Sequence, residues 1–333
     1  MQINVIAGGI TNQLWKCTPP SPLPPVCLRL FGKNTEVLIS RSSEHDLMLQ
    51  IQSFGFGAAL LATFLDGRLE EYLPCTTVTP EGMRSPSLAQ AIARQLARWH
   101  TMEIEVPELQ REAQTFRTIR KWLDLSRSLS FPDPGKQEAH AAIDWQALRA
   151  RVDDVEALCR RVRSPTVFCH NDLLSGNILQ LQLGDESPKE KARDVKDLTF
   201  IDFEYGAYGH RGFDIGNHWN EYAGFECDYS RYPSEEEKRT FVRGYLEELS
   251  ISGYDHVEDD ERREELTTDL IVEADTYALA SHLFWAVWAI IQARYSSIDF
   301  DFLDYFYLRY GEVLRRLPTV QGCVNAWEAT RKE

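Results

Sequence analysis

"VFCHNDLLSGNIL", Val167 to Leu179, sets an acid and an amide five positions apart, Asp172 and Asn177. His170 stands ahead of them, and apolar pairs that read as buried strand, Val167-Phe168 and Ile178-Leu179, enclose the whole. Polar groups this close to a core carry a desolvation cost unless something satisfies them. Two arrangements meet that condition: a satisfied turn between two short strands, or a loop whose acid and amide face a cleft and do chemistry there. The chain downstream favours the second. In "LTFIDFEYGAYGHRGFDIGNHWNEYAG", beginning at Leu198, Asp202 follows a short apolar strand, Leu198 to Ile201, so its carboxylate sits at a strand end facing a cleft.

Together these three residues are what a magnesium–nucleotide site needs. Mg²⁺ takes hard oxygen ligands in octahedral geometry, commonly one or two side chains with phosphate oxygens and water. Asn177 and Asp202 can supply the ligands, while Asp172 orients and deprotonates an attacking hydroxyl. The order His170, Asp172, Asn177 has the spacing of a protein-kinase catalytic loop, and Asp202-Phe203 stands where such kinases carry a metal-binding Asp-Phe.

The rest of the chain sets bounds. With 333 residues, 43% of them hydrophobic, it can bury a sizeable core as one large domain or two lobes. A formal charge of -15 repels nucleic acid and anionic lipid on average, leaving a cation or a metal-chelated anion as the natural guest. Seven cysteines, with no CxxC pair, read as reduced thiols of a cytosolic protein. The N-terminus lacks the basic and apolar segments of a secretory signal. Tyr277 to Ile291, the most apolar run, is too short to span a membrane and reads as a buried helix.

Along the chain, "INVIAGG", "LWKC", "VCLRLFG" and "EVLIS" read as antiparallel strands, with "TPPSPLPP" connecting two of them. Ser43 to Ser53 has helical spacing of Leu47, Leu49 and Ile51, and "LATFLDGRLEEYLP" reads as a hairpin around Asp66-Gly67. Beyond Pro74 the pattern turns to long amphipathic helices. In "SPSLAQAIARQLARWHTM" the residues Leu88, Ile92, Leu96 and Trp99 share a face, with Ser87 as the expected N-cap. "SFPDPGKQ" and "LGDESPKEKARDVKD" read as irregular polar surface insertions. The expected organisation is two lobes joined near Glu70 to Cys75.

Other residues fit the same plan. "AGGITNQL", Ala7 to Leu14, is either a glycine-bearing turn over phosphates or an ordinary hairpin. Arg29 stands on a strand where a protein kinase carries its phosphate-contacting lysine, the alternative being a solvent-facing strand residue. Glu44, on the following helix, can pair with Arg29 or remain solvated. Tyr205, Glu221, Trp285, Trp288 and Tyr305 mix aromatics with an acid, either filling a core or caging an organic cation.

"GGITNQL", "LRLFG", "GRLEEYLP", "CHNDLLSGNIL", "FIDFEYGAYGHRGFDIGNHWNEYAG" and "YALASHLFWAVWAIIQARYSSIDFDFLDY" resemble the choline and ethanolamine kinase family almost end to end. "NDLLSGN", "NEYAG" and "ALASHLFWAVWAIIQ" are more similar to the ethanolamine branch. The resemblance implies an α+β, two-lobed eukaryotic protein-kinase-like fold, with an ATP-binding antiparallel-sheet lobe over residues 1–74 and a helical lobe over 75–333. It implies ATP and Mg²⁺ as cofactors and γ-phosphate transfer to ethanolamine, the entry step towards phosphatidylethanolamine, with choline as an alternative or additional acceptor.

Carried over by position, Asp172 matches the catalytic base, Asn177 and Asp202 the magnesium ligands, and Glu204 an assistant to a second metal. Gly8, Gly9, Thr11 and Asn12 match the phosphate loop, Arg29 the basic phosphate contact, Glu71, Tyr72 and Leu73 the adenine hinge, and Leu174 a residue against the nucleotide. Tyr205, Glu221, Trp285, Trp288 and Tyr305 match the amino-alcohol pocket. Departures are the start of the chain almost at the glycine loop, the lengthened "GDESPKEKARDVKD" segment, expected to loop out as a hairpin tip, and Leu173-Leu174 where many choline kinases have Gln. A homodimer is compatible with the family, and stable membrane insertion is not expected. A non-catalytic scaffold and a protein kinase are the remaining alternatives, disfavoured respectively by the intact Asp172, Asn177 and Asp202 and by the lack of an APE-like segment.

Overall fold

Strand alternation decides what the N-terminal sheet presents to the interior, because successive side chains point to opposite faces. The computed structural model describes residues 1–6, 12–20, 22–31, 41–107, 109–182, 197–252, 259–296 and 298–331, with 41–44 by backbone alone. Its first sheet contains β1 (Gln2–Ile6), β2 (Asn12–Thr18), β3 (Val26–Phe31), β4 (Leu60–Phe64) and β5 (Gly67–Glu71), antiparallel throughout in the order β1-β2-β3-β5-β4. On β3, Cys27 and Arg29 are two apart and both buried, so the Arg29 guanidinium faces inward rather than towards solvent.

The hairpin between β4 and β5 closes at the Phe64–Gly67 pair, so Leu65 and Asp66 form the turn and Gly67 opens the strand. A Cβ on Gly67 would lie 2.2 Å from the Arg29 carbonyl, so only glycine fits this register. Between β3 and β4 lies α1 (Arg41–Ser53), where Leu47, Met48 and Ile51 are buried while Leu49 is exposed. Residues two apart point to different sides of a helix, which removes Leu49 from the expected face. "EVLIS" and "AGG" lie outside the described residues.

After a short link the chain enters β6 (Cys75–Thr77), α2 (Pro80–Met83) and α3 (Pro86–His100). The N-cap of α3 is Ser85, not Ser87, because Pro86 occupies the first helical turn with its φ already set for a helix. Next come α4 (Thr115–Ser128), α5 (Pro134–Ala141) and α6 (Trp145–Arg161). Half of "SFPDPGKQ" is thus helix: Asp133 caps the Lys136 amide and Pro134 follows at the start, which overrides the turn signal of Asp-Pro-Gly.

β7 (Thr166–Cys169), β8 (Ile178–Leu181), β9 (Leu198–Phe200) and β10 (Ala207–His210) form two small sheets, β10-β7 and β6-β8-β9. β8 and β9 pair antiparallel, and residues 183–196, in the charged segment between them, lie outside the described residues.

The helical part ends with α7 (Arg211–Asn220), α8 (Glu235–Ile251), α9 (Asp260–Tyr295) and α10 (Phe302–Thr330). α9 is the axis, packed by α10, α7, α4 and α6, and every residue from Tyr277 to Ile291 is buried. A helix apolar on all sides belongs in a core. No helix among the described residues is long and apolar enough to cross a membrane.

Candidate active site

The loop from His170 to Asn177 leaves β7 and enters β8, and backbone bonds and a buried acid hold its shape. Asn171 and Asp202 both have left-handed backbones, φ 65° and 67°, a conformation Asn and Asp tolerate better than most residues. Asp214, in the first turns of α7 and fully buried, accepts from the His170 and Asn171 amides, 2.7 Å each, and sits 3.0 Å from His100 Nε2. Burial pushes the Asp214 carboxyl up, but bonding and charge from His100 and His170 outweigh it and leave the pKa below the ordinary value.

His170 stitches the two loops together. Its Nδ1 accepts the Asp172 amide at 3.3 Å, so the proton sits on Nε2, 3.0 Å from the Ile201 carbonyl. Burial lowers its pKa, favouring this neutral ring. Asn177 Nδ2 donates to the Asp172 carbonyl at 2.8 Å and to its carboxylate Oδ2 at 3.1 Å.

Asp172, Asn177, Asp202, Glu204 and Glu221 line one cavity of about 230 Å³ together with Leu174, Tyr205, Trp285, Trp288, Tyr305, Ser175, Gly176 and Phe225. Burial, then the charges of Glu221, Asp202 and Glu204, raise the Asp172 carboxyl well above its ordinary range. Four carboxylates around one small space repel one another, and a cation relieves that repulsion.

Arg29 reaches this centre from the sheet. Its Nε is 3.1 Å from Glu70 Oε1 and its Nη1 is 3.2 Å from Asp202 Oδ1. Glu70 also takes Arg68 Nε at 2.5 Å. Glu70 is thus a partner of Arg29, and the side chain of Glu44, the partner expected from the sequence, lies outside the described residues, as do Gly8, Gly9 and Thr11. Asn12 opens β2 and is buried; Glu71 closes β5; Tyr72 and Leu73 link it to β6, with Lys16 Nζ 4.0 Å above the Tyr72 ring.

On the opposite side of the cavity, Trp285 and Trp288 meet edge to face with centroids 5.2 Å apart, and Tyr205 lies 5.4 Å from Trp285. Trp288 Nε1 donates to the Tyr205 hydroxyl at 2.8 Å. Arg309 Nη1 donates to Glu221 Oε1 at 3.2 Å and to the Tyr305 hydroxyl at 3.0 Å. The five residues expected in an amino-alcohol pocket thus share one cavity with Asp172. Sequence reasoning missed Glu70, Asp214, Phe225 and Arg309. Phe225 follows the glycine that ends "NEYAG", and Arg309 lies one helical turn after Tyr305, a spacing that could have flagged it.

The choline/ethanolamine kinase profile matches residues 3–313. The chain belongs to the choline/ethanolamine kinase family. It is 40% identical over 329 residues to a probable ethanolamine kinase of Arabidopsis thaliana, covering 96% of this chain and 81% of the relative. To the human choline/ethanolamine kinase it is 32% identical over 326 residues, 93% of this chain and 78% of that one. Among solved structures, a Plasmodium vivax ethanolamine kinase superposes with a TM-score of 0.81 at 31% identity, covering 94% of this chain and 81% of that one. The fold is accordingly the two-lobed protein-kinase-like fold, and the chain is a phosphotransferase of this family.

Proposed function

We propose that this kinase transfers the γ-phosphate of ATP to the hydroxyl of ethanolamine, giving phosphoethanolamine and ADP. The observation that carries the reading is the single cavity in which Asp172 faces Glu221 and the aromatic walls. An amino alcohol is short, so a base for its hydroxyl and a seat for its ammonium must lie within a few ångströms of each other.

In this reading Asp172 accepts the hydroxyl proton as the oxygen attacks phosphorus, and Asn177 holds the carboxylate through Nδ2. Arg29, fixed by Glu70, contacts the phosphates and carries them over from the sheet side, residues 1–74 forming the nucleotide lobe and Glu71 to Leu73 its hinge. The cluster of hard oxygen donors fits Mg²⁺, with Asn177 Oδ1 and Asp202 as ligands and Glu204 beside them. Bound there, Mg²⁺ would neutralise charge on the phosphoryl oxygens.

The acceptor follows from hydrogen-bond inventory. A primary ammonium carries three donors and costs several kcal/mol to bury unpaired. Glu221 gives Oε1 to Arg309 and takes no bond on Oε2 from a described residue, which leaves an acceptor for it. The aromatic walls of Tyr205, Trp285, Trp288 and Tyr305 favour a second reading, in which choline is also accepted, because a quaternary ammonium is satisfied by ring faces.

A coupled ATPase assay with Mg²⁺, offering each alcohol separately, tests both readings. We expect kcat/KM for ethanolamine to exceed that for choline by at least about tenfold, one missing hydrogen-bonded partner being worth that much. Comparable values would establish the dual reading. ATP consumption with neither alcohol would overturn both.

A further inference from the structure

A buried arginine behind the amino-alcohol pocket, a partner of Glu221, carries an inference that rests on the reading above. Arg309 is 1% exposed, in the interior of α10, and does not line the cavity. An arginine so placed demands partners, since a buried guanidinium without them is strongly destabilising. Two of its partners are pocket residues: Glu221, at 3.2 Å, and the hydroxyl of Tyr305, at 3.0 Å. The third is Ser281 Oγ, 3.2 Å from Nη2.

Each bond has a consequence for the pocket. Glu221 is the C-cap of α7, where the negative end of the helix dipole disfavours a carboxylate. The guanidinium supplies the opposing positive charge and fixes which oxygen points away from the ligand. Tyr305 lies one turn earlier on the same helix, so its ring and the charge move together. Ser281 Oγ donates to Asn217 Oδ1 at 2.8 Å, and the same oxygen accepts Trp285 Nε1 at 2.7 Å. Asn217 Nδ2 then reaches the carbonyl of Asn171, beside Asp172, at 3.3 Å.

We infer that Arg309 is the positioning residue of the acceptor pocket: it holds Glu221 and Tyr305 directly and Trp285 through Ser281 and Asn217, and so sets the preference for a primary ammonium. It touches neither substrate nor reacting atoms. Its removal acts on ethanolamine, which depends on the aim of Glu221, more than on choline, which depends on ring faces.

The test is a kinetic cycle on the full chain with Mg·ATP. We expect Arg309→Met to raise the KM for ethanolamine at least about tenfold, as loss of a buried charge partner does, with a smaller rise for choline and an ATP KM within about twofold of the parent. Arg309→Lys should recover part of the ethanolamine loss by restoring the charge. In a Glu221→Gln background Arg309→Met should add little, because its main partner is already neutral. If Arg309→Met does not fold, Ser281→Ala keeps the charge and removes one anchor, and should still raise the ethanolamine KM selectively. Uniform changes in kcat and in all three KM values, or full additivity with Glu221→Gln, would show a merely structural role and overturn the inference. An unmodified chain that turns over neither alcohol would overturn the functional reading and this inference with it.

Discussion

Asp172 concentrates the conflict between stability and function at a single side chain. It is half-buried beside three other acids, and both desolvation and their charges oppose its ionisation. A carboxylate in such a place is destabilising until a cation arrives, a recurrent cost of active sites. Asp172→Asn preserves the shape and removes the charge. We expect kcat to fall about 10²- to 10⁴-fold, the usual worth of a general base, while the melting temperature of the ligand-free protein stays level or rises. Near-normal turnover would remove Asp172 from the base role. A lower melting temperature would show that the carboxylate contributes bonds beyond that from Asn177. At this scale the sequence was most legible, because Asp172, Asn177 and Asp202, singled out by their spacing, line one cavity. Glu70 was hidden, since its pairing with Arg29 arises from strand register, which brings Cys27 opposite Glu70 and Arg29 opposite Arg68.

Between helices, α7 lies tight against α9. A Cβ on Gly216 would lie 2.4 Å from the Ala274 carbonyl and 2.7 Å from the Ala278 amide nitrogen, so the two backbones touch where no side chain intervenes. α7 carries Asp214, which holds the loop from His170 to Asn177, and Asn217, which holds Trp285. Gly216→Ala should therefore destabilise by roughly 1–3 kcal/mol, the cost of overpacking, and lower kcat as the loop loses its seat. A thermal melt and a turnover assay on the same sample check it; an unchanged melting temperature would mean that the helices can part without cost. The apolar run Tyr277 to Ile291 showed that this stretch of α9 is buried all round, but it says nothing about which neighbour comes close. The same limit explains Ser87 and "SFPDPGKQ": a proline reads equally as a breaker or as the first residue of a helix, and only the packing of the following turn decides.

Across the whole molecule, the Arg29–Asp202 ion pair links the sheet to the helical part, and the apolar core, which α1 and Leu60 join, also traps histidines. His170, His218 and His282 are fully buried and His210 is half-buried, and burial lowers the pKa of each. His218 is pushed down to about 4. Its Nδ1–H donates to the Leu173 carbonyl at 2.9 Å, a bond that keeps the proton but does not offset the desolvation. The sign follows from linkage. Between the ordinary histidine value near 6.5 and about 4, the unfolded chain binds protons that the native state refuses, so stability falls as pH falls. Asp172 acts with the opposite sign, taking up a proton in the native state first, but it is one group against several. His218 alone should cost about 2 kcal/mol between pH 7 and pH 5, at 1.36 kcal/mol per unit. Urea unfolding at the two pH values measures the whole effect, and His218→Asn, whose amide can make the same bond to Leu173, isolates one share of it. A flatter dependence in the variant is expected; equal slopes would mean that His218 already meets water in the native protein.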